Sequence, residues 1–246
     1  MATYDIIHFG LREMTDCGAD LRRMGNGVGS MEEVASRTVR YFYEDFIDGK
    51  TGEKAFALVR LFKTHPWDQL DPSLRKFAQR LVGSTQGLHG TPCLTLLATI
   101  GDRAEWSARE RSTGHQAIPL ISERAVAMAP MIATLIRQMG LEVQTILKPD
   151  PRLLLDLGQR TFNVFHVPEA AGSPYIPAQR EFVHPYGVKS VLGFGGMLPL
   201  GSFFAMVLFS KRPISRHVAE LFKPLALSVK IALLPFEERV FEGGVA

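Results

Sequence analysis

Cysteine is scarce: Cys17 and Cys93 are the two in 246 residues. Two thiols cannot form a framework of several disulfides or a cysteine-based zinc site. Their scarcity fits a reducing compartment, so a cytoplasmic location is expected. Apolar runs are short, because Arg, Lys, Asp or Glu interrupts each one before the roughly 18 residues that a membrane-crossing helix needs. No bilayer span is expected. The stretch Met1 to His8 has an early acid and no basic stretch ahead of an apolar block, which argues against a secretory signal. Charge of one sign is also lacking: 28 Lys and Arg against 25 Asp and Glu leave +3. That is too dilute for a face that grips phosphates, and nucleic acid is not an expected partner. Repeats and low-complexity tracts are absent. What is present is an ordinary globular composition, 46% apolar, 22% charged and 9% aromatic, at a length that suits one large domain or two small ones.

Residues 1–24 mix apolar and charged positions and precede Gly25-Asn26-Gly27-Val28-Gly29, which predicts a loosely attached helix followed by a flexible joint. Ser30 and Glu33 form a capping box, and Val34, Ala35, Thr38, Phe42 and Phe46 then recur at helical spacing over 31–47. Ala55 to Thr64 predicts a strand. Arg60 and Lys63 within it are expected to turn to solvent with their stems along the sheet. Asp71-Pro72 starts a short helix that Gly83 stops. In 93–100 the even positions Leu94, Leu96, Ala98 and Ile100 predict one apolar row of a strand. Ser122 caps a helix that runs to Gly140 and is kinked or divided at Pro130.

Residues 142–148 read as a third strand, Asp150-Pro151 as the cap of a helix through Leu157, and 163–167 as extended chain. Four prolines between Pro168 and Pro185 exclude a central strand and predict a long ordered loop. Val188 to Met197 and Phe203 to Ser210 predict a hairpin, and a helix kinked near Pro224 follows from Ser215. Helices and strands do not alternate strictly to the end. The expected fold class is therefore α+β, a mostly antiparallel central sheet backed by helices, with an amino-terminal helical extension.

The segment Phe182 to Leu234 carries a family resemblance. Gly187-Val188-Lys189-Ser190-Val191-Leu192, then Phe204-Ala205-Met206-Val207-Leu208-Phe209-Ser210, then a helix, resembles the end of a GAF domain. Ala55 to Thr64 and Thr91 to Thr99 look like its earlier strands. About residues 30–234 resemble the GAF/PAS-like sensory regions that bacterial histidine kinases and cyclic-di-nucleotide synthases carry before their output domains. The division this implies is a helical extension with a Gly-rich joint over 1–29, a GAF-like sensory domain over 30–236, and a flexible tail over 237–246. No kinase, nucleotidyl-cyclase or DNA-binding pattern follows, so the expectation is a non-enzymatic sensor without its own output.

The resemblance also implies a cavity over one face of the sheet, roofed by about 101–120 and 163–187, that encloses a small molecule. Homodimerisation through the terminal helices and a signalling partner belong to the same implication. The candidate ligand-binding residues are Cys93, Phe165, His166, Tyr175, His184, Tyr186 and Phe194; no catalytic or metal-binding residue is assigned, and no cofactor is specified. His166 and His184 bracket the proline-rich loop and invite metal or haem ligation, or a general base, but no second ligand sits at diagnostic spacing. His166 and Glu169 are three apart, with Pro168 between them opposing a helix. Cys93 has no adjacent base to lower its pKa and reads as a packed, inert thiol. Trp106, aromatic in a charged stretch, reads as a lid residue or a partner contact. The alternatives are a dimeric adaptor whose cavity is filled by Phe165 and Phe194, and a haem- or metal-dependent gas or redox sensor.

Overall fold

In the computed structural model, which describes residues 3–83, 87–150, 152, 156, 157 and 160–241, the helices begin where their caps place them. The first is α1 (Leu11–Arg22), and the second, α2 (Met31–Asp45), starts at the Ser30 cap, with Glu33 reaching back to the residue before the cap. Ser30 Oγ accepts from the Glu33 amide at 3.2 Å, and Glu33 Oε2 accepts from the Gly29 amide at 2.7 Å. Asp71 caps α3 (Pro72–Val82) by accepting from the amides of Ser73 and Leu74. Gly83 closes that helix at φ +76°, a left-handed conformation that glycine adopts without strain.

The main sheet has six strands in the order β5-β4-β3-β8-β7-β6, each neighbour antiparallel: β3 (Phe56–Pro66), β4 (Pro92–Gly101), β5 (Ala117–Pro119), β6 (Phe165–Val167), β7 (Ser190–Met197) and β8 (Phe203–Ser210). A separate parallel pair joins β1 (Tyr4–Asp5) to β2 (Phe46–Ile47). After β5 come α4 (Glu123–Ala127), α5 (Pro130–Gln138) and α6 (Val143–Leu147). After β8 come α7 (Arg216–Glu220) and α8 (Leu225–Leu233). The α+β expectation of an antiparallel sheet backed by helices is met.

Two cores lie on opposite sides of this sheet. Val59 and Leu61 of β3 with Met206 and Leu208 of β8 face α1, α2 and α8, while Phe62, Phe203, Ala205 and Val207 face α5 and the loops. The alternation follows from the two-residue period of a strand. No helix among the described residues is long and apolar enough to cross a membrane.

Four expectations need correction. The amino-terminal helix is an integral part of the core, since Phe9, Cys17 and Leu21 are buried and α1 packs along α8. The strand expected over 142–148 is the helix α6, because Val143, Ile146 and Leu147 stand at i, i+3 and i+4 and join the core over the sheet. The single row expected along β4 is split. The register passes from Leu61 opposite Ala98 to Phe62 opposite Leu96, leaving Leu97 as a bulge. Leu94 and Leu96 therefore face the α5 side, and Ala98 and Ile100 the α2 side. Lastly, Arg60 and Lys63 are buried in β3 rather than turned to solvent, because the sheet is covered on both faces. The helix expected from Asp150 to Leu157 lies largely outside the described residues.

His65, also on β3, is 4% exposed, its Nδ1 has no hydrogen-bond partner, and its ring centroid is 5.2 Å from that of Phe241. Burial first, then the charges of Lys63 and Arg109, push its pKa down to about 3. The unfolded chain thus binds a proton more tightly than the folded one. Stability is full above the ordinary histidine value of about 6.5 and falls as the pH drops toward 3, at up to about 1.4 kcal/mol per pH unit. Urea denaturation between pH 7 and pH 5 should show this slope in the wild type and a shallower one in His65→Phe. Equal slopes would remove His65 as its source.

Candidate functional site

Antiparallel pairing of β3 with β8 makes the floor of a cavity of about 730 Å³ on the face opposite α2. Leu58, Arg60 and Phe62 project into it from β3, and Ala205, Val207 and Phe209 from β8. Helix α5 forms one wall with Met131, Ile132 and Leu135. Its start is set by Pro130, which divides the helix expected from Ser122 into α4 and α5.

Two segments complete the enclosure, one running from Arg103 to His115 and the other from Ile176 to Phe182. They are pinned together by aromatic packing. Trp106 meets Tyr186 at 4.5 Å and Phe182 at 5.4 Å between ring centroids, and Phe182 stands edge-on to Phe209 at 4.9 Å. Arg103 adds a polar clasp, donating to Tyr186 Oη at 2.9 Å and to both Glu105 carboxylate oxygens at 3.1 Å. The second segment is held in shape by Gln179, whose Nε2 donates to the carbonyls of Ala170 and Ile176 and whose Oε1 accepts from the Gly172 amide.

The lining is mostly apolar, with few polar groups, as small-molecule sites generally are. Arg60 is the group inside the floor. It is 9% exposed, its Nε is buried without a hydrogen-bond partner, and burial alone draws its pKa down to about 10. His115, on the roof, is pushed down to about 4 by the enclosing protein and by the Arg60 charge, and so is neutral at pH 7. The residue is exposed where it lines the cavity.

The structure disperses most of the residues singled out from sequence. Tyr186 stands at the rim, bonded to Arg103. Phe165 lies in the core beside the cavity, packed against Gly193 of β7, and is not part of its lining. His166, the next residue, points to the other face of the sheet, where its Nε2 is 2.9 Å from the Ile214 carbonyl and burial lowers its pKa. Phe194 is also on that face, between Phe42 and Phe222. Cys93 is packed with Trp67, Leu74 and Phe77 away from the cavity, and burial pushes its thiol up to about 12. Tyr175 and His184 are on the exposed surface of the proline-rich loop. Among the described residues no group of three His, Cys, Asp or Glu side chains could hold a metal ion.

Neither Arg60 nor His115 is among the site residues expected from the sequence. The available signal for Arg60 was its place in Leu58-Val59-Arg60-Leu61-Phe62, a strand apolar on both faces, where a charge has no solvent side to turn to. Nothing comparable marks His115, which reaches the cavity through loop geometry.

No family model and no curated protein match the chain. Among solved structures it is similar to the free methionine-R-sulfoxide reductase of Neisseria meningitidis in complex with its substrate, at 10% identity and a TM-score of 0.47 over 95% of this chain and 98% of that one. It is similar to the GAF domain of an Acinetobacter phosphoenolpyruvate-protein phosphotransferase, at 12% identity and a TM-score of 0.42 over 92% and 94% of the two chains. The phycoerythrobilin-bound GAF domain of a cyanobacterial phytochrome is a third, at 11% identity and 0.39 over 93% and 99%. At these identities the chemistry of the site rests on the residues of this chain.

Proposed function

We propose that this chain is a small-molecule-sensing regulatory domain of the GAF-like kind, working in the cytoplasm as a homodimer and signalling to a partner protein without chemistry of its own. One observation carries the reading: a cavity large enough for a drug-sized molecule lies between the sheet and two loop segments held together by Trp106, Phe182 and Tyr186. The coupling route is short. β3 and β8 present Phe62 and Val207 to the cavity and, one residue earlier in each strand, Leu61 and Met206 to the core beneath α1, α2 and α8. A ligand that prefers the closed arrangement of Ile176–Phe182 shifts the population of the whole domain toward it, and the terminal helices report the shift.

Native mass spectrometry of the chain purified without added ligand, together with Trp106 emission in a Trp67→Phe background during screening of a metabolite collection, tests this. A retained mass or a change in Trp106 emission is expected. Both should disappear in Ala205→Phe, which fills the floor with an apolar ring. A wild-type chain that retains nothing and responds to no compound sinks the reading.

A further inference from the structure

We infer that Arg60 is the receptor for the carboxylate of an organic acid whose apolar body lies between the β3–β8 floor and α5. The inference rests on the cavity being a ligand site, and it names the class of ligand. Arg60 is in the middle of a central strand, opposite Thr99 of β4 and Val207 of β8, neither of which supplies negative charge. A guanidinium removed from water is costly unless an anion and hydrogen bonds replace its hydration. Burial is the one cause of its lowered pKa, and among the described residues no acid is paired with it. Of the two acids on the cavity wall, Glu105 is bonded by Arg103 and held down further by the nearby Arg111, and Glu181 is at the exposed rim. His115 on the roof, neutral at pH 7, adds no further cation.

Of the other cations on the wall, Arg103 is taken up by Glu105 and Tyr186, and Arg111 is exposed; the floor itself presents one positive charge in an apolar surround, and its complement is one negative charge. A carboxylate matches the planar fork of arginine with two parallel hydrogen bonds. A phosphate monoester, carrying close to two charges at pH 7, would leave one of them buried without a partner. The body of the ligand is set by Phe62, Val207, Met131, Leu135 and Trp106, which favour an aromatic or aliphatic frame over a sugar or polyol.

The test uses matched pairs on the full chain: indole-3-acetate, 2-naphthylacetate and decanoate, each against its primary amide, with 2-naphthyl phosphate as the dianion. Binding is read by thermal shift and, in a Trp67→Phe background, by Trp106 emission. At least one acid should bind well ahead of its amide. Arg60→Met should weaken that acid by about a hundredfold while leaving the amide unchanged. Without ligand, Arg60→Met should melt about 4 °C higher than the wild type, because an uncompensated buried charge is gone. A lower melting temperature would make Arg60 a structural residue and overturn the inference. Acids and amides that bind equally, or a phosphate that binds more tightly than its carboxylate, would overturn the carboxylate assignment and leave the cavity reading standing. No response to any compound, from a chain that also retains no small molecule in native mass spectrometry, would remove both.

Discussion

Replacing Phe46 by alanine lowers the free energy of unfolding by about 4 kcal/mol, as expected for deleting a fully buried aromatic ring whose surroundings cannot collapse. Phe46 is 0% exposed and ends α2 as the first residue of β2. Its ring lies 5.1 Å from Tyr4, 5.3 Å from Phe9 and Phe42, 5.7 Å from Phe56 and 5.9 Å from Phe222. Those partners come from the amino-terminal segment, α2, β3 and the turn between α7 and α8. One side chain thus joins segments that are far apart in sequence, and no single one of them can move in to fill the space. Urea denaturation should show a lower midpoint with an unchanged slope, the signature of lost stability without a change in the surface exposed. A loss below about 1 kcal/mol would mean that the cluster relaxes around the hole.

Gly195→Ala is expected to cost about 3 kcal/mol, through overpacking against atoms that cannot rotate away. Gly195 is in β7, paired with Ala205 of β8. A Cβ there would collide with the Phe204 carbonyl oxygen and come within 2.9 Å of Ala205 Cα and 3.0 Å of the Phe204 carbonyl carbon. All three are backbone atoms of the partner strand, so the ladder itself must open. Gly29→Ala is the matching control, since a Cβ at Gly29 meets nothing within 4 Å. It should stay within about 0.5 kcal/mol of the wild type. Hydrogen exchange should localise the damage to the amides of β7 and β8. Uniform protection in Gly195→Ala would refute the clash. Because Ala205 belongs to the cavity floor, the same variant should also weaken ligand retention.

The proposed site was harder to see in the sequence than the fold, and the reason lies in how few residues each signal needs. Trp106 was conspicuous because an aromatic in a charged stretch seeks cover, and it packs against Phe182 and Tyr186 over the cavity. His166 was conspicuous by residue type, yet β6 has three residues and so shows no pattern to say which face each one takes. Phe165 and Val167 join the core on the cavity side, and parity sends His166 to the Ile214 carbonyl on the other. Arg60 was hidden by the general habit of arginine to reach for solvent, which fails where both faces of a strand are covered.

Local chemistry, readable one segment at a time, determined the ends of the helices and the hairpin. The Ser30 cap, the Asp71-Pro72 start, the Gly83 stop, the break at Pro130 and the paired runs 190–197 and 203–210 all act through hydrogen bonds or backbone angles set within a few residues. The strand order, the bulge at Leu97, the burial of α1 and the meeting of Arg60 with His115 across a cavity were decided by tertiary structure alone. Each depends on which distant segment covers a surface, and that choice belongs to the packing of the whole chain.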